Sequence, residues 1–486
     1  MSEVKRLGFF INGEWRDSKT EKYMPVTDSS TGEIMAEIPC CTEDEVNDAI
    51  EAAAAAYRGW ADTPVMQRAG LMFRFKAILE PHLEELTLLI AKELGKNLDE
   101  ARGDVLKAIE VVETACAVPI TMQGDSLMNV SQGIDTVSYR EPLGVFDGIV
   151  PFNYPVELYA HKAAAALAAG NAVIAKPPSQ CPLTLLRVAR LLEEAGLPKA
   201  AHQMITGPGE VVGDYLAGSP GVNLITVTGS TSVGIRVSQL AAATLKRVHL
   251  ELGGNDATII FADADLEKAA EAILLGRLAR GNGQICCAVK RVFVSAEVYD
   301  RFADLLTRKT KALKMGNPLD EDTDVGPLIS EQAAQKVEQS IQEAVRAGAK
   351  LRTGGKRHDA FIEPTVLTDI PVETELFSKE TFGPVVPLVA FDSVDQAIRL
   401  ANDSPFGLQA AVFTNDVSLA LDTAHKLEVG GVIVNWSSAV RAENLPFGGV
   451  KSSGHGREGI HDTLQEMTEQ KTILIHNALS VFDQGQ

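Results

Sequence analysis

The sequence predicts an α/β fold built from two doubly wound parallel sheets. Apolar strand-like runs alternate with helical segments from 143 to 262, and a second alternating stretch follows from 263 to about 435. Such alternation is typical of parallel βαβ units, in which helices cover both faces of a sheet. The chain has 486 residues, which is too long for one ordinary core, so we expect two or three domains.

The N-terminal part is predicted to be a short strand followed by helices. Residues 9–15 are strand-like, and residues 42–118 are predicted to be helical. Thr42-Glu43-Asp44-Glu45 resembles a capping box, in which the N-cap hydroxyl and the carboxylate three residues later each bind the other's backbone N–H. The alanine-rich stretch 52–56 favours a helix.

A β-hairpin is predicted between the helical segment and the first alternating stretch. Glycine and proline flank the alternating residues 136–140. A last strand-like segment, Thr472–His476, has nothing nearby in sequence with which to pair. Two partners are open to it, residues 136–140 of the same chain or a strand of another subunit.

The alternating stretches supply the elements of the two sheets. In the first stretch we expect strands at Val145–Val150, Ala172–Ala175, Gln203–Thr206, Leu224–Thr228 and Thr258–Phe261. The intervening helices are expected at Tyr159–Ala169, Thr184–Ala195, Val211–Leu216 and Val233–Ala243. The strands of the second stretch are expected at Arg291–Val294, Val385–Ala390, Gln409–Phe413 and Gly431–Asn435.

Charge and targeting signals limit the partners. The formal net charge of −20 opposes binding to nucleic acid or to an anionic membrane, because the long-range electrostatic interaction would be repulsive. A small anionic ligand needs only a local basic pocket and stays open. No apolar signal core follows residues 1–6, and no apolar run is long enough to span a bilayer. We therefore expect a cytoplasmic protein.

Cys286 is the cysteine that calls for a functional explanation. The six cysteines include two adjacent pairs, a poor layout for disulfides, and no His/Cys cluster predicts a metal site. Glycines surround Cys286 in the run 281–288, where they let the backbone approach a bound molecule and place a peptide N–H near the thiol. The alternative is a small buried core residue, which is the commoner role of a single cysteine.

Two glycine-rich turns and one lysine are candidates for binding a nucleotide. The turn 207–213 is a weak candidate, because Glu210 would repel a pyrophosphate and an ordinary helix start explains the glycines equally well. The turn 228–234 contains no acid, although a serine N-cap also explains it. Lys176 follows a predicted strand at the end where open α/β sheets bind ligands. Ser179 lacks the charge with which an acidic residue would repel a ribose 2′-phosphate.

The motifs, taken in order, resemble those of the aldehyde dehydrogenase superfamily over about residues 8 to 476. The seven motifs begin with Pro151-Phe152-Asn153-Tyr154-Pro155, Lys176-Pro177-Pro178-Ser179, Thr228-Gly229-Ser230 and Glu251-Leu252-Gly253-Gly254-Asn255. They continue with Gly283-Gln284-Ile285-Cys286, Lys379-Glu380-Thr381-Phe382-Gly383-Pro384 and Pro446-Phe447-Gly448-Gly449. Each motif is modest alone, but seven in one order with family-like spacing favour the family strongly.

The resemblance implies a subunit with a cofactor domain, a catalytic domain and a small β oligomerisation flap. The corresponding segments are 1–122 and 143–252 for the Rossmann-like cofactor domain, 253–451 for the catalytic domain, 123–142 and 467–486 for the flap, and 452–466 for a returning helix. The resemblance also implies that Thr472–His476 joins a neighbouring subunit's sheet, and hence a homodimer or homotetramer.

The resemblance further implies an NAD(P)-dependent aldehyde dehydrogenase with three catalytic residues. Cys286 would attack the aldehyde, Asn153 would bind the oxyanion, and Glu251 would activate water to hydrolyse the thioester. Spacing alone would favour a turn former for Asn153 and a solvated charge for Glu251. His161, His202 and His249 are given no functional role.

The cofactor implied is NAD or NADP, and Ser179 suggests that NADP is accepted. In the family, Glu380 binds the nicotinamide ribose and Phe382 packs beside the ring. The implied cofactor contacts are Ile149, Pro151, Phe152, Lys176, Ser179, Gly209, Gly229, Ser230, Leu252, Glu380 and Phe382.

The substrate is predicted to be a small polar or anionic aldehyde. Arg441 and Lys107 could bind an anionic or hydroxylated tail, although both could be ordinary surface charges. The first half of the chain also resembles CoA-acylating methylmalonate-semialdehyde dehydrogenases, but these lack the glutamate at position 251 and carry arginine where this chain has Ile285. CoA acylation therefore stays as an alternative, as does a non-catalytic structural or binding protein on the same fold.

Overall fold

The computed structural model describes residues 4–476 and confirms the α/β fold, with two large sheets covered by helices. The first sheet has eight strands, with an antiparallel hairpin at one edge and a two-residue strand at the other. In spatial order they are Glu14–Arg16, Phe9–Ile11, His202–Met204, Ala172–Lys176, Val145–Ile149, Leu224–Thr228, Arg247–Glu251 and Gly454–His455.

The five inner strands of the first sheet run parallel, so their carboxyl ends meet at one edge. The register aligns Lys176 with Ile149 and Glu251 with Thr228. A lysine predicted to bind the cofactor and a glutamate predicted to activate water therefore lie at the same edge of one sheet.

The second sheet has seven strands, of which only Lys350–Thr353 is antiparallel to its neighbour. Ala257–Ile260, expected in the first alternating stretch, is a central strand of this second sheet. The spatial order is Lys350–Thr353, Thr365–Thr368, Val385–Phe391, Arg291–Ser295, Ala257–Ile260, Gln409–Phe413 and Gly431–Val434.

Helices cover both sheets, and the first of them begins with the predicted capping box. Thr42 Oγ1 accepts from the Glu45 N–H at 3.3 Å, and Glu45 Oε2 accepts from the Thr42 N–H at 2.8 Å. The α-helices are Glu43–Ala61, Val65–Leu79, Leu83–Leu94, Leu98–Ala115, Val118–Thr121, Pro155–Ala169, Leu183–Glu194, Asp214–Gly218, Thr231–Ala241, Leu266–Ile273, Tyr299–Thr310, Glu331–Arg346, Glu375–Ser378, Val394–Asn402, Val417–Lys426 and Ile460–Glu466.

Short elements complete the fold. Tighter or wider helical turns occur at Glu80–His82, Gly209–Gly213, Ala242–Thr244, Leu274–Ala279 and Arg280–Gly283. Two-stranded pairs form between Tyr23–Thr27 and Ile34–Pro39, between Arg357–His358 and Phe361–Ile362, and between Phe406–Gly407 and Val450–Lys451.

The helix Pro155–Ala169 is the centre of the first layer, because every one of its residues is buried. Its alanine-rich sequence lets the neighbouring helix Leu98–Ala115 pack closely against it. Glu157 and His161 lie four residues apart and so share one face of the helix. Charged side chains on a fully buried helix need partners, and these partners form the site described below.

The tail strand pairs within the chain. Thr468–His476 pairs antiparallel with Ile134–Pro142, which pairs in turn with Ser126–Ser131. This confirms the first of the two partners considered from the sequence. Pairing with a neighbouring subunit stays a prediction, as does oligomerisation, and residues 477–486 of the predicted flap lie outside the described residues.

One local expectation was wrong, and one strand was not predicted. The helix expected over 452–466 is confined to Ile460–Glu466, since Gly454–His455 pairs with Arg247–Glu251 as a short strand. The strand Arg247–Glu251 was itself not expected, because charged and polar residues interrupt its apolar run. The predicted domain boundaries stay predictions. None of the helices within 4–476 is long and apolar enough to cross a membrane.

Candidate active site

A cavity of about 150 Å³ lies where the carboxyl edge of the first sheet meets the loop that carries Cys286. All three predicted catalytic residues, Asn153, Glu251 and Cys286, line it. A cavity of this volume holds a molecule about the size of benzene, so the geometry favours a short substrate.

The loop before Cys286 is held in a conformation that requires glycine. Gly283 has a φ of +74°, and a Cβ there would lie 2.4 Å from the Gly383 carbonyl group. Asn282, with a φ of +51°, accepts from the Gly326 N–H at 2.8 Å. The glycines around the thiol are therefore needed for the loop to pack against its neighbours.

Cys286 and Cys287 form a coupled pair of thiols. Cys286 is half-buried, whereas Cys287 is buried. The neighbouring Cys287 thiol, together with burial, raises the pKa of Cys286, whereas the Cys286 thiol lowers the pKa of Cys287 to about 7. Because each thiol shifts the pKa of the other, the pair titrates as a unit, and the more exposed Cys286 is the better placed nucleophile.

Asn153 is positioned by the same loop. Its Nδ2 donates to the Gln284 carbonyl at 3.0 Å, two residues before Cys286. The Gln284 side chain in turn accepts from the Ile329 N–H at 3.1 Å, so the loop is fixed on both sides. An amide group has two N–H bonds, and the second one is available to an oxyanion in the cavity.

Glu251 is the last residue of its strand, and its side chain is buried. Both carboxyl oxygens lack a hydrogen-bond partner among the described residues. A Cβ on Gly448, with a φ of +157°, would lie 2.5 Å from Glu251 Oε1, so this glycine makes room for the carboxyl. Burial, and then the charge of Glu458, raise the pKa of Glu251 well above its usual value.

Lys162 and Glu458 form a buried ion pair beside Glu251 that the sequence did not reveal. Lys162 Nζ lies 3.2 Å from Glu458 Oε1 and donates to Thr228 Oγ1 at 2.8 Å. Although burial alone would raise the pKa of Glu458, Lys162 and Arg441 hold it below its usual value. A lysine within an alanine-rich apolar helix was the available signal, since buried lysines are almost always paired.

Lys290 connects the catalytic loop to Glu380. Its Nζ donates to the carbonyls of Gly254 and Cys286, each at 2.7 Å, and forms an ion pair with Glu380. The Gly254 N–H donates to Glu380 Oε1 at 3.0 Å. A Cβ on Gly253 would lie 2.1 Å from Glu380 Oε2. Gly253 therefore leaves room for the carboxylate of Glu380, and Gly254 donates a hydrogen bond to it. Lys290 was not predicted from the sequence, although a lysine directly before a buried strand was a signal.

Several of the predicted cofactor residues lie at the carboxyl edge of the first sheet. Ile149 and Lys176 end adjacent strands, and Pro151 follows in the next loop. Lys176 is buried, and this burial, opposed by Asp147, lowers its pKa to about 8. Lys176 Nζ donates to the Pro177 carbonyl at 3.2 Å.

Two aromatic rings lie close to each other, and one leucine lines the cavity. The rings of Phe152 and Phe382 are 6.2 Å apart between centroids. Leu252 is buried and lines the cavity, and a Cβ on Gly234 would lie 2.5 Å from its Cδ1.

The two glycine-rich turns, 207–213 and 228–234, differ in the space and the side-chain hydrogen bonds that they present. Gly209 is exposed, with no heavy atom within 4 Å of the position of a Cβ, and Gly229 has its nearest such neighbour at 3.8 Å. Ser230 caps the helix Thr231–Ala241 by accepting from the Val233 N–H, so its N-cap role is real. Ser179 Oγ donates to the Gly207 carbonyl at 3.0 Å.

These groups fit a nicotinamide dinucleotide. The open turns at Gly209 and Gly229 leave space for a pyrophosphate to approach the backbone. Lys176 supplies a donor, and Glu380 Oε2, which accepts no hydrogen bond from the described residues, supplies an acceptor suited to ribose hydroxyls.

Both predicted substrate residues line the cavity. Arg441 Nη1 lies 3.0 Å from Glu458 Oε2, and its guanidinium lies 4.5 Å from the centre of the Phe447 ring. Lys107 Nζ lies 2.6 Å from the exposed Glu110. Neither residue is therefore an isolated surface charge: Arg441 is paired with Glu458, and the half-buried Lys107 is paired with Glu110.

A family model described as the aldehyde dehydrogenase family matches residues 15–473. The chain belongs to this family. It is 39% identical over 480 residues to a 3-sulfolactaldehyde dehydrogenase of Priestia aryabhattai, covering 98% of this chain and 99% of the relative. It is 37% identical to a lactaldehyde dehydrogenase of Methanocaldococcus jannaschii, covering 96% of this chain and 99% of the relative.

Solved structures of similar enzymes share the fold. The crystal structure of an NADP-dependent enzyme of E. coli superposes with a TM-score of 0.94 at 35% identity, covering 98% of this chain and 99% of that one. The family assignment confirms an NAD(P)-dependent aldehyde dehydrogenase, in which the roles of individual residues are open to test.

Lys290→Met should disturb the thiol and the cofactor site together. The variant leaves Glu380 without its cation and two carbonyls without their donor, and breaking a buried ion pair typically costs about 3–5 kcal/mol. We expect a lower melting temperature, an alkylation rate of Cys286 by iodoacetamide changed by about tenfold, and a raised KM for the cofactor. The exposed Lys311→Met is the control. Wild-type alkylation and cofactor KM in Lys290→Met would contradict this role.

Proposed function

We propose that the chain oxidises a small polar aldehyde to the carboxylic acid through a covalent intermediate on Cys286, with NAD or NADP as the oxidant. The observation that supports this proposal is the convergence of the Cys286 thiol, the Asn153 amide and the Glu251 carboxyl on one cavity of about 150 Å³. This cavity borders the sheet edge that fits a dinucleotide.

In the first step, the Cys286 thiolate attacks the carbonyl carbon of the aldehyde. The carbonyl electron pair moves to oxygen, and Asn153 Nδ2 and the Cys286 N–H donate to the resulting oxyanion. Such donors are worth about 3 kcal/mol each when they are prearranged. When bound, NAD or NADP supplies the acceptor for the hydride that leaves the same carbon.

In the second step, Glu251 removes a proton from the water that attacks the thioester. The carbon–sulfur bond breaks, the thiolate of Cys286 is restored, and the acid leaves. The raised pKa of Glu251 suits a base that must take up a proton near neutral pH. Burial raises this pKa most, and the carboxylate of Glu458 raises it further because it disfavours a second negative charge, whereas Arg441 and Lys162 oppose the rise.

Water, rather than CoA, is the proposed acyl acceptor. Glu251 is present, and the residue before the nucleophile is the buried Ile285 in place of the arginine that the CoA-acylating relatives carry. NADP is proposed to be accepted beside NAD, because no carboxylate stands at Ser179 and one similar solved enzyme is NADP-dependent.

Cys286→Ala and Cys287→Ala separate the nucleophile from its neighbour. Cys286→Ala should abolish aldehyde-dependent reduction of the cofactor, whereas Cys287→Ala should keep turnover within about tenfold of the wild type. The measurement is the initial rate of absorbance at 340 nm with propanal. Turnover retained by Cys286→Ala, or lost only in Cys287→Ala, would contradict the assignment.

Glu251→Gln should allow the first step and block the second. We expect a burst of one reduced cofactor per active site, followed by a steady rate lowered by about 100-fold or more, since general-base catalysis is typically worth about 10²–10⁴-fold. The wild-type steady rate should rise with pH, because the raised pKa of Glu251 keeps it protonated at lower pH, and the variant should lose this rise. Stopped-flow absorbance measures both, with the exposed Glu373→Gln as the control. A normal steady rate in Glu251→Gln would rule out its role as the base.

Ser179→Glu should shift the cofactor preference towards NAD. A carboxylate at this position would repel a 2′-phosphate by like charge. We expect the ratio of kcat/KM for NADP to that for NAD to fall by about tenfold or more, measured at one fixed aldehyde concentration. The surface variant Ser418→Glu should leave the ratio unchanged. An unchanged ratio in Ser179→Glu would place the ribose elsewhere.

A further inference from the structure

The charges around the cavity are already neutralised. Among the described residues, the cations that line it each have a carboxylate within 4 Å. The pairs are Lys107 with Glu110 at 2.6 Å, Arg280 with Glu100 at 3.3 Å, and Arg441 with Glu458 at 3.0 Å. An aldehyde with an anionic tail would find no spare positive charge here and would meet several carboxylates.

Glu157 is the exception on this wall of the cavity. Its side chain is 8% exposed and lines the cavity, yet no described residue donates a hydrogen bond to its carboxyl or accepts one from it. The nearest cation is Arg441, whose Nε lies 3.9 Å from Glu157 Oε1, beyond hydrogen-bond distance. The Glu157 N–H donates to Asp104 Oδ1 at 2.9 Å, which fixes the start of the buried helix.

Arg441 has unused donors beside this carboxyl. Within the described part of the chain, its Nε and Nη2 are buried and have no hydrogen-bond partner. The Phe447 ring and Glu458 hold the guanidinium in place, so it cannot turn to find other partners without losing these contacts. Buried groups of this kind are normally satisfied, so their partner is expected to arrive with the ligand.

Glu443 and His161 lie beside Glu157 and Arg441, and these four residues form a polar corner at the cavity wall. His161 Nε2 and Glu443 Oε2 are 2.6 Å apart, and Glu443 Oε2 lies 3.5 Å from Arg441 Nε. Ligand atoms of Glu157, His161 and Glu443 lie within 4.8 Å of one another, as in a metal site. The Arg441 guanidinium already supplies the positive charge there, and it would repel a metal cation.

The hydrogen-bond donors and acceptors of this corner identify the chemical group that it binds. Arg441 needs an acceptor, whereas Glu157 and Glu443 need donors. A carboxylate or sulfonate offers only acceptors, and an ammonium group offers only donors. A hydroxyl group offers both. Burial, opposed by Arg441, raises the pKa of Glu157 to about 8, and a hydroxyl group, which both donates and accepts, suits this carboxyl in either protonation state.

We propose that Glu157 and Arg441 together bind a hydroxyl group on the tail of the aldehyde, so that the enzyme selects a neutral hydroxyaldehyde over an aldehyde with an anionic tail. This inference rests on the proposed function, because it assigns the tail of the substrate whose carbonyl meets Cys286. Glu157 and Arg441 are specificity-determining residues in this assignment and take no part in the bond changes.

The test is a panel of short aldehydes at saturating cofactor. It compares lactaldehyde, 3-hydroxypropanal and 4-hydroxybutanal with propanal and butanal, and adds succinate semialdehyde and 3-aminopropanal. In the wild type, kcat/KM for the best hydroxyaldehyde should exceed that of its deoxy parent by roughly tenfold or more, because a polar site strongly rejects an analogue that lacks the hydroxyl. The same hydroxyaldehyde should also exceed succinate semialdehyde and 3-aminopropanal. A higher kcat/KM for either charged aldehyde would overturn the inference.

Variants test whether Glu157 carries the preference. Glu157→Leu should bring the ratio of hydroxyaldehyde to deoxy parent to within about twofold of one, whereas Glu157→Gln, whose amide both donates and accepts, should keep most of it. Glu157→Lys adds the missing spare cation and should raise the relative kcat/KM of succinate semialdehyde. Glu113→Leu, an exposed acid-to-apolar change on a neighbouring helix, should leave the ratios unchanged.

The outcomes separate the two proposals. No turnover of any aldehyde in the wild type would contradict the proposed function itself. Turnover of propanal without a preference for hydroxyaldehydes, or an unchanged ratio in a folded Glu157→Leu variant, would contradict only the hydroxyl site. Melting temperatures identify a misfolded variant, and Glu157→Gln and Glu157→Lys then still decide the question.

Discussion

The buried ammonium group of Lys290 is the interaction on which the rest of the site depends. It joins the backbone of Cys286, the backbone of Gly254 and the carboxylate of Glu380, which come from three separate segments of the chain. Without it, two carbonyls and one carboxylate would lose their donor in a partly buried environment, where unpaired polar groups lower the free energy of unfolding. The same ion pair therefore fixes the position of the thiol and the direction of the residue proposed to bind the nicotinamide ribose.

A second constraint comes from the parallel strands of the first sheet. Their carboxyl ends bring Lys176 and Glu251 to one edge, although these residues are far apart in sequence. The buried helix Pro155–Ala169 then adds Glu157 to the lining of the cavity and pairs Lys162 with Glu458, another lining residue. Each buried charge on this helix needs a partner, and these partners determine which charged groups surround the cavity.

The sequence predicted the elements that depend on local chemistry or strong periodicity. The capping box at Thr42 and the strand Leu224–Thr228 lie where they were expected. The strand that carries Glu251 was missed, because Arg247 and His249 interrupt its apolar run and are buried or half-buried only through contacts with distant residues. Periodicity cannot reveal partners that tertiary structure supplies.

The candidate site was predictable to the same extent. Motifs located Cys286, Asn153 and Glu251, because the glycines that relieve close contacts around the site are visible in the sequence as parts of these motifs. Lys290 and His161 lie outside these motifs, and their partners are distant in sequence, so no role was assigned to them from the sequence. The polar corner around Arg441 is of the same kind. The sequence showed one arginine, whereas the structure shows that its charge is compensated while two of its nitrogens have no hydrogen-bond acceptor among the described residues.

The central claim is that the aldehyde carbon becomes bonded to Cys286 during turnover. The direct measurement is peptide mass spectrometry of enzyme quenched in acid while it turns over aldehyde and cofactor, with fragmentation to distinguish the two adjacent cysteines. The account predicts on Cys286 an acyl group that adds the mass of the aldehyde less two hydrogens, and that is absent when the cofactor is omitted. An unmodified Cys286 during turnover, or an acyl group on Cys287 instead, would contradict it.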